Sequence, residues 1–250
     1  MSEPIVSYAD IIAARERIED HVFRTPCPTS DYLSALVGTP TYAKLENLQY
    51  TGSFKARGAC NRLSQLTADE RKRGVICMSA GNHAQGVAYF AQKLGVAATV
   101  VMPKFAPLVK VANCRGFGAN VILHGEHLAD SRELALKLAE EKNLVFIPPF
   151  NDPQIIAGAG TIGVEIIEDV PDVDAIIVPV GGGGLIAGIA TAVKTMKPSV
   201  KIYGAESTSA PTLAHSLKAG QVTAVDTQPT LADGLAVREV GPICFDLLQG

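Results

Sequence analysis

Residues 175–193 read "AIIVPVGGGGLIAGIATAV". The part before the glycines is short, uncharged and β-branched, so it reads as a buried strand. After them Leu185, Ile189 and Val193 recur at spacing four, the period of one helix face. Gly181, Gly182, Gly183 and Gly184 are then a strand-to-helix turn. Each glycine in a regular element costs about 0.5–1 kcal/mol relative to alanine. A tight turn needs one or two of them; four in a row fit a ligand pressed against bare backbone. The N–H groups at a helix N-terminus favour an anion, and a phosphate fits best. A purely structural turn is the alternative. The same 19 residues carry no charge and are long enough to cross a bilayer. Pro179 and the glycines would leave that backbone unpaired in lipid, which argues against a span. No Lys-Ser or Lys-Thr follows the glycines, so the turn is not a Walker loop.

Outward from this stretch, strand and helix patterns alternate. Helical patterns lie at "SYADIIAARERIEDHV", with Ser7 as N-cap, and at "SFKARGACNRLSQL". Thr67 and Glu70 form a capping pair for a further short helix. "TYAKLEN", "VICMS", "AATVVM", "NVILH", "VFIPP" and "KIYGAE" read as strands, with helices between them from residue 83 on. Asp152 and Pro153 open another helix as N-cap and first-turn proline. This order predicts an α/β fold with open, mainly parallel twisted sheets and helices on both faces. Ligands in such sheets bind beyond the carboxyl ends of the strands, where the four glycines lie.

Composition narrows the function classes. Of 250 residues 47% are hydrophobic and 19% charged, which allows a sizeable core. A net charge of −3 without a basic block gives no reason to expect nucleic acid or an anionic membrane. The first ten residues lack the charged and apolar regions of a signal peptide. Five dispersed cysteines without a C-x-x-C pair fit reduced thiols, and with them a cytoplasmic protein.

Two further segments carry chemical groups. "TGSFKARGA" places Lys55 at a helix start, where a charged lysine is disfavoured by the dipole. It is either a solvated lysine or a pocket lysine of lowered pKa able to form a Schiff base. "MSAGNHAQG" is a second loop leading from a strand into a helix, with Ser79, Asn82 and His83. Its N–H groups could hold a carboxylate, or it could be an ordinary turn and cap. "GAGTIG" matches the dinucleotide pattern at Gly158, Gly160 and Gly163 but follows a helix start, so it reads as a close-packed helix. His124 and His127 have no third ligand nearby and read as a surface loop.

Together "TGSFKARGA", "SAGNHAQGVA" and "VPVGGGGLIAG" resemble the signatures of pyridoxal-phosphate enzymes of fold type II. "NDPQIIAGAGTIGVEI" and "TLADGLAV" extend the resemblance, which is closest to the catabolic threonine dehydratases, with serine racemase nearby. The resemblance implies a small domain, residues 67–153, inserted in a large cofactor-binding domain, residues 1–66 and 154–250. It implies a pyridoxal 5'-phosphate cofactor and elimination of water and ammonia from L-threonine, with L-serine as a second substrate. A racemase, or a regulatory homologue that binds cofactor without catalysis, is the alternative. Lys55 would carry the cofactor and take the Cα proton. Phe54 would pack beside the pyridine ring, with Gly234 on its far side, and Asn82 would meet the phenolic oxygen. Gly181 to Gly184 and Leu185 would hold the phosphate. Ser79, Ala80, Gly81, Asn82 and His83 would grip the substrate carboxylate. A homodimer or homotetramer is implied.

Several positions depart from the family pattern. Ala80 stands where serine racemase has a second acid–base serine, which favours elimination. Ala159 stands where relatives carry glutamine. Glu206 matches one ligand of a cation site, but Thr212 stands where an acidic ligand is expected. Relatives also continue past the point that corresponds to Gly250, with a glycine-rich segment bearing the partner of the pyridine nitrogen. On that basis the large domain is expected to be C-terminally incomplete here.

Overall fold

The computed structural model describes residues 4–249. The chain opens with α1 (Tyr8–Ile18). Ser7 Oγ accepts from the Asp10 N–H while the Asp10 carboxylate accepts from the Ser7 N–H, so two orphan donors are satisfied reciprocally. Next come α2 (Asp31–Val37), α3 (Lys55–Ser64) and α4 (Ala68–Arg73). The Thr67–Glu70 capping box stands at the start of α4.

A first sheet follows, built from β1 (Val75–Met78), β2 (Ala98–Met102), β3 (Asn120–Leu123) and β4 (Val145–Phe146). The strand order is β3-β2-β1-β4 and every pairing is parallel. Its crossovers are α5 (Asn82–Lys93), α6 (Leu108–Gly116) and α7 (Leu128–Glu141). Then come α8 (Pro153–Asp169), β5 (Ala175–Pro179), α9 (Gly184–Met196), β6 (Lys201–Ala205), α10 (Thr212–Ala219) and α11 (Pro242–Leu248). β5 and β6 form a second parallel sheet, with Ile177 paired to Tyr203.

The segment "TYAKLEN" differs from the expected strand. Residues 41 to 45 run antiparallel to 26 to 30, but only one bridge forms, Thr29 to Tyr42. The N–H groups of Ala43 and Leu45 donate to the carbonyls of Pro28 and Pro26. The Ser30 N–H donates back to the Thr41 carbonyl, but neither proline has an N–H to return, so the ladder is one-sided from Pro28 to Pro26 and no strand propagates. The segment then turns into a 3-10 helix at Glu46–Leu48. Strand β4 is likewise shorter than "VFIPP", because Pro148 and Pro149 cannot extend it. Strand β5 is not buried on both faces as expected. Ile176 and Val178 face the core, whereas Ile177 is 72% exposed. The pleat sends alternate side chains to opposite faces, and one face of this pair is open among the described residues.

Helix α8 is the central post. Every residue from Ile155 to Ile166 is buried, so the helix is enclosed on all sides. Its glycines explain how. A Cβ on Gly158 would lie 2.7 Å from the carbonyl oxygen of Arg57 in α3, and one on Gly160 would lie 2.9 Å from that of Gly188 in α9. The "GAGTIG" run therefore serves close helix crossings, as expected for a close-packed helix. The polar side chains of α8 meet partners from the N-terminal segments. Arg57, 1% exposed, pairs with Glu165 at 2.6 Å and Glu46 at 2.8 Å. Lys44 pairs with Glu165 at 2.7 Å and Asp169 at 3.0 Å. Removing one partner from such a buried set costs about 3–5 kcal/mol, because the rest are left uncompensated.

Candidate active site

In each parallel sheet the loops at the carboxyl ends of the strands share one edge, and contacts of residues 147–150 with Lys55, His83 and Gly182 bring the loops of the two sheets together. From β1 comes Ser79–His83, from β4 residues 147–150, and from β5 Gly181–Gly184. The start of α3 brings Phe54 and Lys55 to the same place. A Cβ on Gly86 of α5 would lie 3.2 Å from the Lys55 carbonyl oxygen, which shows how closely α3 and α5 approach there.

Lys55 is the first residue of α3. Its Nζ donates to the Pro149 carbonyl at 2.6 Å and lies 5.1 Å from the centre of the Phe54 ring. Burial, rather than a neighbouring charge, pushes its amine down to about 8. The solvated-lysine alternative does not describe this side chain.

The loop ahead of α5 starts at Ser79, whose Oγ accepts the Gly81 N–H at 3.1 Å. No side chain caps α5. The His83 ring is buried and its Nε2 lies 3.0 Å from the Ile147 carbonyl. A carbonyl only accepts, so Nε2 carries the proton and Nδ1 is a bare acceptor. Burial, with the nearby Lys55 ammonium second, lowers the imidazole to about 3. The His83 side chain thus turns inward, and what it can offer to the loop is its backbone N–H. Asn82 begins the helix, and Ala80 packs against the apolar core that includes Val87, Val100 and Ile147.

The four glycines form the turn before α9. Gly183 has φ of +90° and no side-chain cap follows, so the first turn of α9 presents free N–H groups. The glycines also face protein. A Cβ on Gly182 would strike the Phe150 ring, and one on Gly183 would lie 2.8 Å from Cys244 Cβ. A Cβ on Gly181 would lie 3.3 Å from the Gly234 carbonyl. Gly234 therefore lies against the turn, within a 3-10 helix at Asp233–Leu235. Leu185 is the second residue of α9.

Glu206 takes a different part. Its two oxygens accept from the N–H groups of Leu213, at 2.7 Å, and Ala214, at 2.9 Å. Thr212 Oγ1 adds a third bond at 3.2 Å. The carboxylate is occupied at the N-terminus of α10, where the helix dipole favours it. His124 and His127 are both exposed.

The residues fit a polar cofactor at one place. Among the described residues, the buried side-chain polar atoms without a partner are Thr51 Oγ1, Ser53 Oγ and His83 Nδ1. Thr51 and Ser53 lie just ahead of Lys55 in the chain, and His83, whose imidazole feels the Lys55 charge, belongs to the loop ahead of α5. Such orphans are rare in native proteins, and these fit a site that receives added polar atoms. Pro149 and Phe150 carry no chemistry of their own, and nothing in the sequence marks them as site residues.

Comparison with known proteins agrees with this geometry. The family described as pyridoxal-phosphate dependent enzyme matches residues 18–250. The L-threonine ammonia-lyase of Thermotoga maritima is 49% identical over 245 residues, 98% of this chain and 61% of that protein. The catabolic L-threonine dehydratase TdcB of Escherichia coli K12 is 45% identical over 244 residues, covering 98% of this chain and 74% of its own length. This sequence thus spans about three fifths to three quarters of the length of these relatives. The structure of maize serine racemase superposes with a TM-score of 0.94 at 36% identity, over 98% of this chain and 74% of that one. The two parallel sheets with their covering helices are the architecture of fold type II. On sequence and fold alike, the chain belongs to the family of pyridoxal-phosphate-dependent enzymes.

Proposed function

We propose that this chain uses pyridoxal 5'-phosphate to eliminate the β-hydroxyl of L-threonine, and of L-serine, as water; the released enamine then takes up water as it loses ammonia, giving 2-oxobutanoate or pyruvate. The observation that carries the reading is Lys55, with its amine lowered to about 8 among the orphan polar atoms of Thr51, Ser53 and His83. When bound, the cofactor supplies an electron sink for the Cα carbanion. The rest falls to this chain. Lys55 would hold the cofactor and, once free of it, take the Cα proton; burial lowers its pKa and so favours the neutral amine that such a base requires. The free N–H groups of the turn from Gly181 to Leu185 receive the phosphate. Phe54 and Gly234 would flank the ring, and Asn82 would meet its phenolic oxygen. The loop Ser79–His83 holds the substrate carboxylate so that Cα stays near Lys55.

The likeness to a serine racemase favours a second reading, in which the same site inverts L-serine. Ala80 argues against it, since a racemase needs a proton donor on each face and alanine has none. The proposed setting is the cytoplasm, consistent with five free cysteines. No helix among the described residues is long and apolar enough to cross a membrane. A homodimer or homotetramer is the proposed assembly, with residues 67–153 as a small domain that carries the substrate loop.

The test is to reconstitute the protein with pyridoxal phosphate and supply L-threonine. One 2-oxobutanoate per ammonia is expected, and none from the Lys55→Ala variant. Bound cofactor with no product would instead mark a regulatory homologue.

A further inference from the structure

Lys110 lies in α6, outside every motif considered so far. Its Nζ is 2.9 Å from Asp233 Oδ2. A Cβ on Gly81 would lie 3.0 Å from the same nitrogen, so the ammonium rests against the middle of the loop Ser79–His83. The absence of a side chain at position 81 is what makes room for it. Asp233 begins the 3-10 helix that carries Gly234, and Gly234 packs against Gly181. The pair therefore runs from the loop ahead of α5 to the flank of the glycine turn ahead of α9, across the ground between them.

The lysine side chain is 20% exposed and the aspartate 66%. An ion pair this open contributes little to folding. An ammonium has three donors, and among the described residues Asp233 is its one hydrogen-bond partner. Its remaining donors are free beside an uncapped helix N-terminus, a combination that favours an anion.

We infer that Lys110 determines specificity for the substrate's α-carboxylate. Its ammonium meets the carboxylate at the loop Ser79–His83, and Asp233 is the positioning residue that holds it there. The inference rests on the proposed lyase reading for the identity of the substrate.

The experiment uses the holoenzyme and follows both turnover and the change in cofactor absorbance on adding L-threonine. Lys110→Met should weaken L-threonine binding and raise its KM about 10- to 100-fold, the loss expected for one charge-assisted hydrogen bond. The kcat should change far less, and Lys110→Arg should recover most of the affinity. L-threoninamide, which lacks the carboxylate, should bind wild type and Lys110→Met alike. Unchanged affinity for L-threonine in Lys110→Met would overturn the inference, as would an equal loss for the amide. If the wild type binds L-threonine without forming product, the lyase reading fails, while the affinity comparison still judges Lys110.

Discussion

Lys55 Nζ donates to the carbonyl of Pro149 at 2.6 Å. That contact ties the Lys55 amine to the end of β4. Two residues earlier the Ile147 carbonyl receives the His83 ring, and one residue later the Phe150 ring lies over Gly182. A single strand end thus sets three things in register: the lysine, the loop ahead of α5 and the glycine turn ahead of α9.

Burial of the same amine has a consequence for stability. The Lys55 amine falls from 10.5 to about 8 on folding. Between those values the unfolded chain binds more protons than the folded one, so stability of the cofactor-free protein rises with pH across that window. Below about 8 both states are protonated and the cost of burial weighs fully on the fold, at most on the order of 3 kcal/mol. Lys55→Met should therefore raise the urea midpoint at pH 7 and flatten the rise between pH 8 and 10.5. Parallel pH profiles for the two chains would contradict this origin.

The helix crossings give a second expectation. A Cβ on Gly188 would strike the Ile156 carbonyl and lie 2.7 Å from the Gly160 nitrogen, backbone that cannot step aside. Overpacking costs about 1–3 kcal/mol, and rigid backbone puts Gly188→Ala at or above the top of that range. For a chain of this size that lowers Tm by roughly 6–12 °C. Gly116→Ala, with nothing within 4 Å of the new carbon, should leave Tm unchanged or slightly higher. Thermal melts of the two variants decide it; equal shifts would mean that α8 and α9 are not so closely joined.

Ala80→Ser tests the choice between elimination and racemisation. The new hydroxyl would give the loop ahead of α5 a second proton donor. Chiral chromatography after incubation with L-serine should show more D-serine per pyruvate than in wild type. Elimination that persists with no gain in D-serine would show that a hydroxyl at this position does not reach Cα.

Much of this was legible in the residues alone. The alternation of strand and helix from Val75 onward needed no tertiary information, since each crossover helix carries its own period and stop. The caps at Ser7, Thr67 and Asp152 act where their local patterns place them. Local pattern failed where distant partners decide. Residues 41–47 look like a strand, but Pro26 and Pro28 deny them a ladder and the Arg57–Glu165 network claims Lys44 and Glu46. Helix α2 is not among the elements expected from the sequence, although Ser30 caps it and Gly38, with φ of +79°, ends it. The motifs marked Lys55, the loop Ser79–His83 and the four glycines. Lys110, Pro149 and Phe150 reach the site only through the fold, and nothing in their neighbourhoods announces it. The glycines also have two demands on them rather than one, because Phe150 and Cys244 fill the space that side chains would need.

The central claim is that Lys55 is the residue that holds the cofactor. Borohydride reduction of the protein mixed with pyridoxal phosphate, followed by peptide mass mapping, tests it most directly. The account predicts the added mass on the peptide containing Lys55, and no specific labelling in Lys55→Ala. Stoichiometric labelling of a different lysine, or unchanged labelling of the variant, would contradict it.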